Sequence, residues 1–171
     1  LLVSGLAAAS LDLDGNGKVD VIGSETRTTP FVARFDVAGN LVWVRSLQTS
    51  GRLSLLDMTA STDHIAVSGL YQGSLDLDGD GQMDAESNAD GENDGIVVIL
   101  DNHGSIRQVL TITGPGADQA KSAAFSPDGR SLSVTGFLRL TADFDGDGVP
   151  EGAIRCDHRG DIFWARYLLG P

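Results

Sequence analysis

The chain has 171 residues, with 24 acidic against 12 basic side chains and a net charge of −12. No basic stripe is present to neutralise phosphates, which argues against nucleic-acid binding; no run of 18 or more apolar residues offers a membrane-spanning helix, so no membrane insertion is expected. The single cysteine, Cys156, excludes an internal disulfide framework, and the length suffices for one sizeable core or for several units of a repeat array.

Residues 1–9 form an apolar stretch that carries the triplet Val3-Ser4-Gly5 and runs into an acidic loop, Asp12-Leu13-Asp14-Gly15-Asn16-Gly17-Lys18-Val19-Asp20. A short strand is predicted over 19–22 and a polar linker over 24–30. Phe31-Val32-Ala33-Arg34-Phe35 is aromatic and β-branched; a Gly-containing turn over 36–40 and a return strand over 41–47, with Trp43, complete a hairpin pattern. Two further strands are predicted over 53–60 and 64–71. The order then restarts with a second loop, Asp76-Leu77-Asp78-Gly79-Asp80-Gly81-Gln82-Met83-Asp84, and an acidic linker over 88–94. Strands are predicted over 96–100, 106–112, 120–125 and 131–138, with Ser126-Pro127-Asp128-Gly129 turning between the last two. A third loop, Asp143-Phe144-Asp145-Gly146-Asp147-Gly148-Val149-Pro150-Glu151, precedes a final hairpin built from 153–156, the turn 157–160, and 162–167.

Two independent marks set the period. The triplet Val-Ser/Thr-Gly begins at 3, 67 and 134, and an Asp-x-x-Gly turn begins at 36, 101 and 157. Four short strands per unit at a fixed period form the pattern of a β-propeller blade. The predicted fold is all-β: a propeller-like array of four-stranded antiparallel blades, about two complete and partial ones at both ends. The predicted units are 1–29 (partial blade and first loop), 30–94, 95–151 and 152–171. Trp43 and Trp164 fall at one place in the repeat and are expected as packing anchors between units. A closed propeller takes about four blades or more. The chain is therefore expected to be a piece of a larger propeller, or a subunit that closes a ring with other copies.

Each acidic loop places oxygen-bearing side chains at positions 1, 3, 5 and 9 and glycine at 6. Alternate side chains then converge on one point, the glycine permits the sharp turn, and position 7 offers a backbone carbonyl, as in calcium loops. Position 12, where an EF-hand carries a bidentate Glu, holds Gly23, Ser87 and Ile154. About three calcium ions are expected. The first would bind Asp12, Asp14, Asn16, Asp20 and the Lys18 carbonyl; the second Asp76, Asp78, Asp80, Asp84 and the Gln82 carbonyl; the third Asp143, Asp145, Asp147, Glu151 and the Val149 carbonyl. With three carboxylates and an Asn, the first is expected to be the weakest. The bland reading of a single such loop is a solvated acidic turn, but three in register favour a metal. The loops hold 11 of the 24 acids, so the chain's acidity is concentrated in them.

The run from Phe31 to Trp43, followed by His64-Ile65-Ala66-Val67-Ser68-Gly69-Leu70-Tyr71, resembles the bacterial seven-bladed propeller repeats of the SBBP type. The acidic loops resemble those of integrin α-subunit (FG-GAP) propeller blades, and Ser126-Pro127-Asp128-Gly129-Arg130 resembles a turn of TolB-like and WD-type propellers. Together these likenesses cover nearly the whole chain. They imply a propeller on a secreted or bacterial cell-surface protein and say little about activity. Millimolar calcium outside cells suits weak loop sites, which also favours an extracellular address.

Three functions follow as expectations. The leading one is a non-catalytic, calcium-stabilised module for binding or assembly at a cell surface, with a protein or carbohydrate ligand. The others are a structural subunit of an extracellular filament or sheath, and a propeller fragment of a polysaccharide-active hydrolase or lyase. For catalysis the residues offer little. His64, His103 and His158 are turn-adjacent, and Ser126 lacks the strand-to-helix context of a nucleophile elbow. The cluster Asp90, Glu92 and Asp94 reads as a solvated linker, with a fourth metal as its alternative, and Cys156 reads as a small buried hydrophobe.

Overall fold

A computed structural model describes residues 1–23, 28–47, 49, 51–87, 92–151 and 160–170. The strand expected over 153–156, together with Cys156, His158 and Asp90, lies outside these residues. The described residues contain β-strands and no helix. Strands β1 (Leu2–Ala7), β2 (Thr29–Phe35) and β3 (Leu41–Ser46) make a first antiparallel sheet in that order. Next come β4 (Arg52–Ala60), β5 (His64–Gln72), a two-stranded ribbon of β6 (Ser74–Leu75) and β7 (Ala85–Glu86), then β8 (Asp94–Asp101) and β9 (Ile106–Ile112). The second sheet has the order β4-β5-β8-β9, and β10 (Gln119–Phe125), β11 (Ser131–Leu138) and β12 (Asp161–Leu168) form the third.

The sheets regroup the repeat. In the second sheet β4 and β5 come from the unit expected over 30–94, whereas β9 and nearly all of β8 come from the next, and the acidic loop lies on the crossing between them. Register shows the equivalence: Val3 faces Ala33, Val67 faces Val98, and Val134 faces Ala165. β12, expected as the outer strand of a hairpin, thus takes the place beside β11 that β8 takes beside β5. That register points Phe163, Ala165 and Tyr167 inward and turns Trp164 outward, 68% exposed, so it is no anchor here. Trp43 does join units: its Nε1 donates to the Asn102 carbonyl at 2.9 Å, and Arg34 Nη1 donates to the same oxygen.

Stacking of the sheets explains the run Ile96-Val97-Val98-Ile99-Leu100, which is buried along its whole length. Alternate side chains of a strand point to opposite faces. Ile96, Val98 and Leu100 meet Val32 and Leu47 of the first sheet's side, while Val97 and Ile99 meet Ala123, Leu132 and Val134 of the third sheet. A β-bulge between Leu55 and Asp57 presses the backbone of β4 toward β5, so a Cβ at Gly69 would sit 2.1 Å from the Ser54 oxygen. Gly136 stands in the same relation to Gln119 of β10, at 1.9 Å. The glycine that ends the recurring triplet is a close-approach residue.

The turns follow their sequence chemistry. Asp36 Oδ1 accepts from the N–H groups of Ala38 and Asn40, Asp101 Oδ1 accepts from those of His103 and Ser105, and Gly39 and Gly104 take φ of 88° and 81°. One expectation changes: Asp94 is not in a solvated linker but opens β8, almost fully buried, while Glu92 is exposed. The backbone has to enter the sheet at Asp94 to bring Gly95 opposite Ile112.

Candidate metal centres

Within each acidic loop the local sequence writes the same hydrogen bonds. The first Asp accepts from the N–H groups at positions 4 and 6: Asp12 from Gly15 and Gly17 at 2.8 Å each, Asp76 from Gly79 and Gly81 at 2.7 and 3.0 Å, Asp143 from Gly146 and Gly148 at 2.7 Å each. The position-5 oxygen of Asn16, Asp80 or Asp147 accepts from the N–H two residues on, at 2.7–2.8 Å. The acid at position 9 reaches back to the N–H at position 2: Asp20 to Leu13, Asp84 to Leu77, Glu151 to Phe144. Glycines 4 and 6 of all three loops take positive φ, from 74° to 89°. Sequence reasoning used the glycine at position 6; the one at position 4 is needed for the same reason, since a side chain is strained there.

The loops close against the core through the residues between their acids. Position 0 accepts the N–H of position 9 in every copy: Leu11 from Asp20, Leu75 from Asp84, Ala142 from Glu151. Positions 0 and 2 then face inward by strand alternation. Leu75 and Leu77 are fully buried with Tyr71, Leu11 and Leu13 pack on Val21 and Phe31, and Ala142 and Phe144 join the core between the second and third sheets. Burying a leucine side chain is worth roughly 1.5–3 kcal/mol. Folding thereby fixes the spacing of the acids by holding the apolar residues between them against the core.

This brings the acids together in three groups. Asp12, Asp14 and Asp20 form one, Asp76, Asp78 and Asp84 a second, and Asp143, Asp145, Asp147 and Glu151 a third; within each, one carboxylate oxygen per residue lies within 4.8 Å of the others. Asn16 holds the same place in its turn as Asp147 does. Asp80 stands outside its group, with Oδ2 accepting from the Gln82 amide at 3.2 Å. Lys18, Gln82 and Val149 occupy position 7 of their loops. Among the described residues no basic side chain pairs with any of these acids; the ion pair present is Arg107–Asp101 at 2.6 Å. The N–H of Gly17, ahead of the other donors, holds the Asp12 carboxyl below its ordinary range.

Like charges at such separations repel by roughly 1 kcal/mol per pair even in water. A hard cation with oxygen ligands at about 2.3–2.6 Å removes that repulsion. The donor set is carboxylate, amide and carbonyl oxygen without nitrogen or sulfur, which suits Mg²⁺, Ca²⁺ or Mn²⁺ rather than zinc or copper. The geometry can hold metal ions. No protein-family model matches the chain, and no curated protein does.

Proposed function

We propose that the chain is a non-catalytic, calcium-stabilised module of a β-propeller, used for binding or assembly at a bacterial cell surface. The observation that carries this reading is the threefold construction of one loop: identical hydrogen bonds, converging acids, and apolar staples into three successive cores. The propeller part is supported by sheets that stack face to face in chain order, joined by antiparallel meanders, and by the resemblance to bacterial propeller repeats. In this reading Ca²⁺ is a structural ligand that joins each loop to the seam beside it. A protein or carbohydrate ligand, further blades of a larger chain or other copies of this one would then meet the outer faces.

The test is a thermal melt in millimolar calcium, in magnesium, and in excess chelator. A ligand present at a hundred times its dissociation constant adds about 2.7 kcal/mol per site, and 1 kcal/mol moves the midpoint of a domain this size by about 2–4 °C. Three sites should raise the transition by more than 10 °C over the chelated protein, and calcium should exceed magnesium. An unchanged transition would reduce the loops to acidic turns and remove the main support for an extracellular address.

A further inference from the structure

Two of the three apolar cores are seams between sheets, and the third is half of one. Val32 of the first sheet meets Ile96 and Val98 of the second, and Val97 and Ile99 of the second meet Leu132 and Val134 of the third. The remaining core holds Phe31, Ala33, Leu11, Leu13 and Val21, all from the first sheet and its loop, and no second sheet lies against it among the described residues. By strand alternation Phe31, Ala33 and Phe35 stand on the side of β2 away from the second sheet. Register sets them at the places that Ile96, Val98 and Leu100 hold in β8. Leu100 is fully buried by the seam it belongs to, whereas Phe35 is only half-buried.

The third sheet carries the other half. Within the sheets, Val32, Val97 and Trp164 hold one place, opposite Ser4, Ser68 and Thr135. Val32 and Val97 are fully buried against the sheet that follows, whereas Trp164 is exposed, as are Ile162 and Leu168 on the same face of β12. Apolar side chains scattered singly on a surface are ordinary, but several on one strand face mark a contact surface. Arg166 stands where Arg34 stands, opposite Ser133 as Arg34 is opposite Leu2. Arg34 shows what that place does: its guanidinium crosses the seam and donates to the Asn102 carbonyl at 2.9 Å, in the Asp-x-x-Gly turn of the next sheet. The corresponding position of the first sheet's own turn is Val37, whose side chain is wholly exposed. Tryptophan and arginine are the side chains that protein interfaces concentrate. No acid stands among the side chains of either half named here, although the chain's net charge is −12.

Resting on the stacked-sheet part of the reading above, we propose that the outer face of the third sheet docks the outer face of the first sheet of a second copy of this chain, in a head-to-tail joint that repeats the two internal seams. Trp164 then packs as Val32 and Val97 do, and Arg166 donates to the Val37 carbonyl of the second copy as Arg34 does to that of Asn102. Because the two faces differ, the joint is heterologous, and successive copies close into a ring or run on as a chain.

Sedimentation velocity of the whole chain in calcium, over a wide range of concentration, tests this with wild type, Trp164→Lys, Phe35→Asp and Val37→Lys. The Val37 side chain touches nothing that folding needs, so its variant serves if Phe35→Asp fails to fold. Wild type should associate, Trp164→Lys should weaken association by about thirtyfold or more, as loss of a central tryptophan does, and the two changes on the first sheet should weaken it as well. An equimolar mixture of Trp164→Lys and Val37→Lys should regain a dimer, since each supplies the half that the other lacks. A wild type that stays monomeric, an association that Trp164→Lys leaves unchanged, or a mixture no better than its components would each overturn the proposal, the last because a face would then be meeting itself. A monomer whose melt still responds to calcium would overturn this joint alone and leave the calcium-stabilised module standing. Association that persists in a protein whose melt ignores calcium would support the joint and overturn the metal reading.

Discussion

Asp118 offers the sharpest test of the tertiary structure, because nothing in its neighbourhood along the chain marks it as special. It is fully buried; its Oδ1 accepts from the Arg139 N–H at 3.0 Å, and its Oδ2 has no partner among the described residues. Burial pushes its carboxyl up to about 7, against the pull of the Arg139 N–H and with help from the charge on Asp94. The folded state therefore keeps a proton that the unfolded chain releases near 3.8. Stability from this group is fully present below the unfolded value, falls as pH rises toward 7, and is flat above it. A rise of about 3 in pKa corresponds to about 4 kcal/mol over the whole range, of which about 2 kcal/mol falls between pH 5 and 7. Asp118→Asn retains an oxygen for Arg139 and cannot ionise. Urea unfolding followed by tryptophan fluorescence, at saturating calcium and at pH 5, 6, 7 and 8, should show the wild type losing about 2 kcal/mol relative to the variant between the first and third points. Parallel profiles for the two proteins would refute the argument, since the groups they share cancel in the difference.

Two further substitutions test the backbone. Leu140 takes φ of 64° where the equivalent turn of the second unit has Gly73 at 84°, so Leu140→Gly should relieve a left-handed strain of about 1 kcal/mol and raise the urea midpoint; a lowered midpoint would mean the leucine side chain contributes more than its backbone costs. Gly136→Ala places a methyl 1.9 Å from the Gln119 oxygen and 2.7 Å from the Phe163 ring. It should cost about 3 kcal/mol or more, and a chemical denaturation curve within about 1 kcal/mol of wild type would show that β10 carries no such bulge.

What the sequence alone determined is whatever closes within a few residues. The acidic loops are of this kind: the side-chain hydrogen bonds that shape them span at most seven positions, and glycine at fixed offsets permits the turns. The turns at Asp36, Asp101 and Ser126 and the existence of most strands were legible for the same reason. The tertiary structure decided how those pieces are grouped. β5 crosses its acidic loop to pair with β8, and β12 rather than an intervening strand lies beside β11. A side-chain period of two says which residues share a face, but not which strand lies alongside or which face is covered. For that reason Trp43 and Trp164, equivalent in the repeat, end on a buried seam and an open face. Asp94 and Asp118, ordinary linker acids by composition, become buried carboxyls. Each of these depends on two sheets meeting, and burial is a property of that meeting rather than of any local stretch.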